Sequence, residues 1–457
     1  MRGLASRLLE TLRRRVRQFA KWLVPGIRVK RYVALLFFGV ALVAFGAVLL
    51  ADVVSAGILR VLYVMVWLSS WISGGEPWGL VATGAALMGL GLYCVFLGLR
   101  ATVRSVAGVF LPRGDYRLAE LMVQRRALGR GPRIVAVGGG TGLSTLLRGL
   151  KRYGVSLTAV VTVTDDGGSS GRLRRELGVL PPGDINDCLV ALAEAEPLMT
   201  RLFEYRFDRG DLKGHSFGNL FLASMMGVAG DLVSAVGLAS RVLAIRGQVL
   251  PATTDNVVLC AEFLDGSHAE GESAIPVVRK AIRRVYLKPA ARAVPEVLEA
   301  IAQADLVLLG PGSLFTSVLP NLLVGGVADA LRATSAPVVQ VVNVMTQPGE
   351  TDGFRASDHI RAVVDHAGPV VRAAVVNTQR PRNELLLARY RSEGAYPVEP
   401  DVERIRQMGV QPFGFALVSE AELVRHDPAR LAEAVLEVLD RLGATRRRVA
   451  RVSVINP

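Results

Sequence analysis

Residues 134–145, IVAVGGGTGLST, limit what this chain can fold into more than any other stretch. The apolar, β-branched run Arg133 to Val137 has the length of a buried parallel strand, and a helical pattern begins at Thr141. The glycines therefore sit at a strand-to-helix turn. Gly138, Gly139, Gly140 and Gly142 carry no Cβ, so backbone N–H groups around Thr141 can approach an anion closely, at the positive end of a helix dipole. A nucleotide diphosphate suits such a loop. Neither standard motif fits, however: Leu143 stands where a dinucleotide fingerprint needs its third glycine, and no Gly-Lys-Ser/Thr follows. A single Gly-rich loop is as often a tight turn without a ligand.

Two further loops of the same kind argue against that bland reading. The apolar run Leu157 to Val163 leads into Asp165, Asp166, Gly167, Gly168, Ser169 and Ser170, and Leu306 to Leu309 leads into Gly310, Pro311, Gly312 and Ser313. Adjacent carboxylates at Asp165 and Asp166 suit Mg²⁺ or a ribose hydroxyl; Asp166 reads equally as a turn acid or helix cap. Asn343 and Thr346 follow another strand pattern, with amide and hydroxyl groups able to read a base or ribose edge. His215 and Asn219 precede an apolar helix in GHSFGN. Asp165, Asp166 and His215 are the candidate catalytic groups, and no complete catalytic constellation accompanies them.

Strand patterns recur at Arg133–Val137, Leu157–Val163, Leu306–Leu309, Val338–Val342 and Val370–Val375, with helical patterns between several of them and an amphipathic closing helix at Ala429–Leu442. The expectation is an α/β fold, a Rossmann-like doubly wound, mainly parallel sheet with its ligand crevice at the strands' carboxyl ends.

The N-terminal quarter is different. Tyr32–Ala51 and Leu80–Leu99 are uncharged apolar runs of roughly bilayer-spanning length. Between them Arg60, Trp67, Trp71 and Trp78 suit an interfacial segment, and residues 53–73 could alternatively form a third span. Residues 1–31 carry net +9 and residues 100–130 net +5, with −1 between. Basic flanks on one side of the membrane require an even number of spans, so a two-span transmembrane α-hairpin is expected, its flanks meeting anionic lipids at the inner face. The expected divisions are an arm 1–31, hairpin 32–99, linker 100–130, nucleotide-binding domain 131–445 and tail 446–457. The first three carry +13 of the chain's +14, leaving +1 for residues 131–457, and no aromatic-interleaved basic patch appears. Nucleic acid is thereby disfavoured. Cys94, Cys188 and Cys260 have no paired spacing.

The segments GGGTGLSTLLRGLK, TDDGGSSGRLR, PPGDINDCLVALA, GHSFGNL, GPGSLFTSVLPNLLV and NVMTQPGETDGF together resemble the gluconeogenesis factor family of YvcK type, within the CofD-like superfamily, from about Pro132 to about Leu442. The resemblance implies a Rossmann-related fold, cytosolic binding of UDP-N-acetylglucosamine, and a role in cell shape and cell-wall precursor supply during gluconeogenic growth. It adds Asp184 to the binding candidates. It also implies that Tyr390 and Arg425 help hold the sugar nucleotide, a ring for stacking and a guanidinium for phosphate. Partner enzymes of precursor synthesis and a homo-oligomer go with the family; NAD(P) and GDP are the competing ligands. The superfamily's 2-phospho-L-lactate transferase supplies an enzymatic alternative, a Mg²⁺-dependent phospho- or nucleotidyl-transferase, and a membrane scaffold without nucleotide is a third reading. Asn186 stands where the family usually has Arg, which removes a bidentate phosphate partner.

Overall fold

The computed structural model describes residues 37–46, 77–110, 131–194, 197–420 and 423–443. Two compact units, residues 1–122 and 123–457, are taken in turn. The expected arm 1–31 and tail 446–457 lie outside the described residues, as does 53–73.

The larger unit is built on a seven-stranded, wholly parallel sheet. Its strands are β1 (Arg133–Gly138), β2 (Ser156–Val161), β3 (Gln248–Pro251), β7 (Leu306–Leu309), β8 (Val338–Val341), β9 (Ala373–Asn377) and β10 (Gln411–Phe415), in spatial order β10-β9-β8-β7-β1-β2-β3. Strands β4 (Val258–Phe263), β5 (His268–Glu270) and β6 (Ile282–Lys288) form a separate antiparallel sheet, and β11 (Val418–Ser419) pairs with β12 (Arg425–His426). The Rossmann-like α/β expectation holds. β3 and β10 were not expected, because β3 has four residues and β10 carries Pro412 and Gly414. Pro412 is tolerated because β10 is an edge strand. The last predicted run moves from Val370–Val375 to Ala373–Asn377, where pairing with β8 and β10 is available.

Near-continuous apolar strands follow from burial on both faces. Along β1, Ile134 and Ala136 join one core with helices 140–150, 183–192 and 428–441; Val135 and Val137 join the other, with helices 295–302 and 356–367. Side-chain alternation along one strand thus feeds two layers. The predicted closing helix is Pro428–Arg441, capped by the Asp427 carboxylate, which accepts from the N–H groups of Ala429 and Arg430. Its backbone lies against Gly149 of helix 140–150, where a Cβ would overlap the Pro428 carbonyl.

In the smaller unit, helix 77–110 contains the expected second apolar run and continues to Phe110, past the expected boundary at Leu99, so the linker starts as helix. Its segment Gly84–Ala101 is the one stretch among the described residues long and apolar enough to cross a membrane. The first expected span is described over its helical segment Phe37–Gly46. The two helices run antiparallel along a glycine seam. A Cβ on Gly39 would lie 2.9 Å from the Gly91 carbonyl oxygen, and one on Gly46 3.0 Å from that of Gly84. Small residues let the backbones meet, while Phe37, Phe38, Tyr93 and Phe96 face outward.

Gly149→Ala should destabilise the larger unit by about 1–3 kcal/mol, since the added methyl meets backbone that cannot swing aside. Gly237→Ala, in a helix where nothing lies within 4 Å of the new Cβ, should be neutral or stabilising by roughly 0.5–1 kcal/mol. Thermal denaturation of both variants checks the contrast.

Candidate functional site

Strand order reverses between β1 and β7: β2 and β3 follow on one side, β8 to β10 on the other. The loops leaving these two strands must diverge, and a crevice opens between them. A cavity of about 600 Å³ lies there. Gly142, in the first turn of helix 140–150, touches the loop after β7, where a Cβ would lie 2.7 Å from Gly312 Cα and from the Pro311 carbonyl oxygen. Of the sequence candidates, Gly139, Gly140, Thr141, Gly142, Asp165, Asp184, Gly312, Ser313, Asn343, Thr346, Tyr390 and Arg425 line this one cavity.

The others stand behind its wall. Gly138 and Gly310 end in strand-to-strand bonding: the Gly138 carbonyl accepts from Thr162 N–H and Asn321 Nδ2, and Gly310 N–H donates to Val137. Ser169 Oγ pairs with His215 Nδ1 at 2.9 Å, while Ser170 Oγ accepts from Gly183 N–H at 3.1 Å and from Asn219 Nδ2 at 3.4 Å. Gly167 donates its N–H to Asp165 Oδ1 at 2.9 Å, and Gly168 follows at φ +44°. The loop 165–170 is thus largely occupied in tying helix 183–192 and the 214–219 loop together. The two adjacent aspartates also diverge. Asp165 reaches the cavity, whereas Asp166 Oδ1 accepts the Ser273 N–H at 2.9 Å and pins the loop that carries Glu272. Asn186 is buried against Gly218, away from the cavity lining.

Glu272, Ser273, Thr316, Gln347, Glu350 and His426 line the cavity as well, none of them among the candidates above. Glu350 sits in the GETDG turn and Glu272 arrives from within the antiparallel insert, between β5 and β6; no local signal marks either. Glu350 accepts from Ser313 Oγ, from Thr316 Oγ1 at 3.3 Å, and from the backbone N–H groups of Phe315 and Thr316. It therefore fills the anion seat of the turn Leu314–Val318. Asn343 brackets Gly312, accepting its N–H at 3.2 Å and donating to its carbonyl at 2.7 Å. At helix 140–150 the first turn leaves the N–H groups of Gly140, Thr141 and Gly142 outside the helix ladder, and the Asp184 carboxylate takes that of Gly140.

Five lining carboxylates, Asp165, Asp184, Glu272, Glu350 and Glu393, share the cavity with one guanidinium, that of Arg425. Burial, and then the charges of Asp165 and Asp187, push Asp184 up to about 8. Burial and the neighbouring carboxylates hold Glu272 well above the usual range, and burial raises Glu350 as well. Asp184 Oδ2 has no hydrogen-bond partner among the described residues. No group of three or more His, Cys, Asp or Glu side chains among them is placed to hold a metal ion. One wall is apolar: Val344, Met345 and Val424 pack together with Leu387, and Tyr390 lies against them.

Residues 134–418 match the family model described as 2-phospho-L-lactate transferase CofD. The gluconeogenesis factor of Bacillus subtilis is 46% identical over 68% of this chain and 99% of its own length, and that of Halalkalibacterium halodurans 47% identical over 66% and 95%. A Nostoc sp. homologue is 45% identical over 93% of both chains, so that similarity reaches into the smaller unit. A crystal structure of a UPF0052-family protein from Bacillus halodurans, 48% identical, covers 66% of this chain and 99% of its own with a TM-score of 0.65.

Asp184 is ionised in an unfolded chain above about pH 4, yet in the fold it keeps its proton to about pH 8. Between those values the folded state binds more protons than the unfolded one, so stability falls as pH rises from about 4 to about 8. Asp184→Asn abolishes this contribution. The wild-type melting temperature should drop more between pH 5 and pH 8 than that of the variant, as read by parallel thermal melts; an equal drop in both contradicts the assignment.

Proposed function

Because the chain belongs to the gluconeogenesis factor family and carries its CofD-type domain, we propose that it binds UDP-N-acetylglucosamine in the β1/β7 crevice and reports the level of this precursor to enzymes of cell-wall synthesis, with effects on cell shape. The observation that carries this reading is the joining, in one cavity, of a helix N-terminus at Gly140–Gly142 with an apolar wall that includes Tyr390. A diphosphate is stabilised at free N–H groups of the first turn. A flat ring is stabilised against Val344, Val424 and the Tyr390 ring. Arg425 is the lining cation available to a phosphate.

The carboxylates favour a second reading, a Mg²⁺-dependent transfer reaction of the CofD kind. Asp165 and Asp184 offer hard oxygen ligands beside the anion seat, and the unpartnered Asp184 Oδ2 fits a cation. A bound Mg²⁺ supplies the charge that lets a diphosphate approach this acidic floor. His215, bonded to Ser169 behind the wall, serves here as a positioning group. For the smaller unit, the glycine-packed helices with outward aromatic side chains support membrane anchoring at the inner face, their basic flanks against anionic lipid. A homo-oligomer is consistent with the family.

Titration calorimetry with UDP-N-acetylglucosamine, NAD(P) and GDP, each with and without Mg²⁺, should give tightest binding for the sugar nucleotide. Arg425→Ala should weaken it by roughly 10- to 100-fold, the range for a hydrogen bond to a charged group. A flat trace for every ligand favours a scaffold; product formation lost in Asp165→Asn favours the enzyme. Deleting residues 1–126 should release the protein from membranes while retaining binding, checked by sedimentation and the same titration.

A further inference from the structure

Helix Glu384–Glu393 walls one side of the cavity through Tyr390 and Glu393. Its attachment to the larger unit is slight. Leu387 is its one buried residue, Leu386 and Tyr390 are half-buried, and Leu385 is 88% exposed. The three inward side chains rest on Val344, Met345, Val418 and Val424, a cluster that belongs to neither of the two cores flanking the sheet. By contrast, helix 356–367 sends Ile360 and Val363 into the second core. A helix that shares no core with the sheet can detach without unfolding it, at a fraction of the global free energy.

The two ends of this helix are tied differently. Before its first turn, Glu420 Oε2 accepts the N–H groups of Arg382 at 2.8 Å and Asn383 at 2.6 Å, so one carboxylate clasps the chain there. After its last turn, Gly394 turns the chain at φ +88°. Beyond that glycine, Tyr396 N–H donates to Thr346 Oγ1 at 2.9 Å, and the Tyr396 carbonyl accepts the Thr346 N–H at 2.7 Å. The far end is thus fastened to the loop after β8, while the near end depends on a single side chain. From this asymmetry we infer that helix 384–393 is a lid, hinged at Gly394 and latched by Glu420, which a bound ligand holds shut. Opening carries Tyr390 and Glu393 away from the rest of the lining. The inference rests on the sugar-nucleotide reading above, in which a flat ring lies against Val344, Val424 and Tyr390. Such a ring joins the small cluster beneath the helix and supplies apolar contact that the helix lacks. A ligand with that preference for the closed form shifts the opening equilibrium toward it.

Amide hydrogen exchange on the full-length chain in detergent tests the lid, with binding of UDP-N-acetylglucosamine followed by calorimetry on the same sample. In the free protein, amides of residues 386–393 should exchange at least about tenfold faster than those of helix 356–367. At a ligand concentration of roughly 100 times Kd, an opening that requires ligand release should slow by about 100-fold. Tryptic cleavage after the exposed Arg389 and Arg391 should slow in parallel. Glu420→Ala removes both clasping bonds and should speed lid exchange and ligand dissociation by roughly tenfold, leaving helix 356–367 unchanged. Bound ligand without slower exchange at 386–393 overturns the lid alone, as does free-protein exchange there as slow as in helix 356–367. Lid exchange unaltered by Glu420→Ala overturns the latch. A flat calorimetric trace overturns the nucleotide reading and the ligand-held lid with it.

Discussion

The arrangement of the whole site depends on one contact, the approach of Gly142 to Gly312 across the point where strand order reverses. β1 and β7 are neighbours in the sheet yet lie about 170 residues apart in the chain, and each ends in a glycine-rich turn at the same edge. With a side chain at 142, the first turn of helix 140–150 could not seat against the Pro311–Gly312 backbone. The crevice would widen, and the helix N-terminus would no longer share a cavity with Ser313 and Asn343. The glycine loops after β1 and β7, which read in sequence as loops of one kind, are thus two sides of one cavity.

Electrostatics qualifies the idea that glycine-exposed amides simply await a phosphate. Much of the supply is already taken. Asp184 accepts from Gly140, Asp165 from Gly167, Glu350 from Phe315 and Thr316, and Asn343 from Gly312. Carboxylates at helix and turn N-termini are stabilised for the same reason that a ligand phosphate would be. The proposed dianion would therefore meet carboxylates whose charged form burial disfavours, since Asp184, Glu272 and Glu350 are all held above their ordinary range. The diphosphate proposed above would need that protonation or a cation, and would be left with the N–H groups at Thr141 and Gly142 as its direct partners.

The second Gly/Ser loop shows how similar sequences take different roles. TDDGGSSG looks as suited to phosphate as VGGGTG, but its serines hold Gly183, Asn219 and His215, and Asp166 holds Ser273. Its work is to position Asp184 at the start of one helix and Glu272 in the β5–β6 connection of the antiparallel insert. Composition alone cannot separate the two cases, because the deciding factor is which backbone lies opposite.

Local order determined a good deal. The apolar, β-branched runs at 133–137, 306–309 and 338–342 have no exposed face to satisfy, so a parallel sheet covered on both sides follows from their pattern. Glycine after each of two runs marks the turns, and the two halves of a doubly wound fold set the crevice at the carboxyl edge. The edge strands β3 and β10, being short or broken by Pro412 and Gly414, carried too little apolar pattern to be seen. Only the tertiary structure decided which member of each pair of like residues lines the cavity, Asp165 rather than Asp166 and His426 rather than His215, and that Glu350 joins them. Sequence periodicity specifies the face of an element; what stands opposite that face is supplied by segments tens to hundreds of residues away, and burial, charge and hydrogen bonding at these side chains arise only when those segments meet.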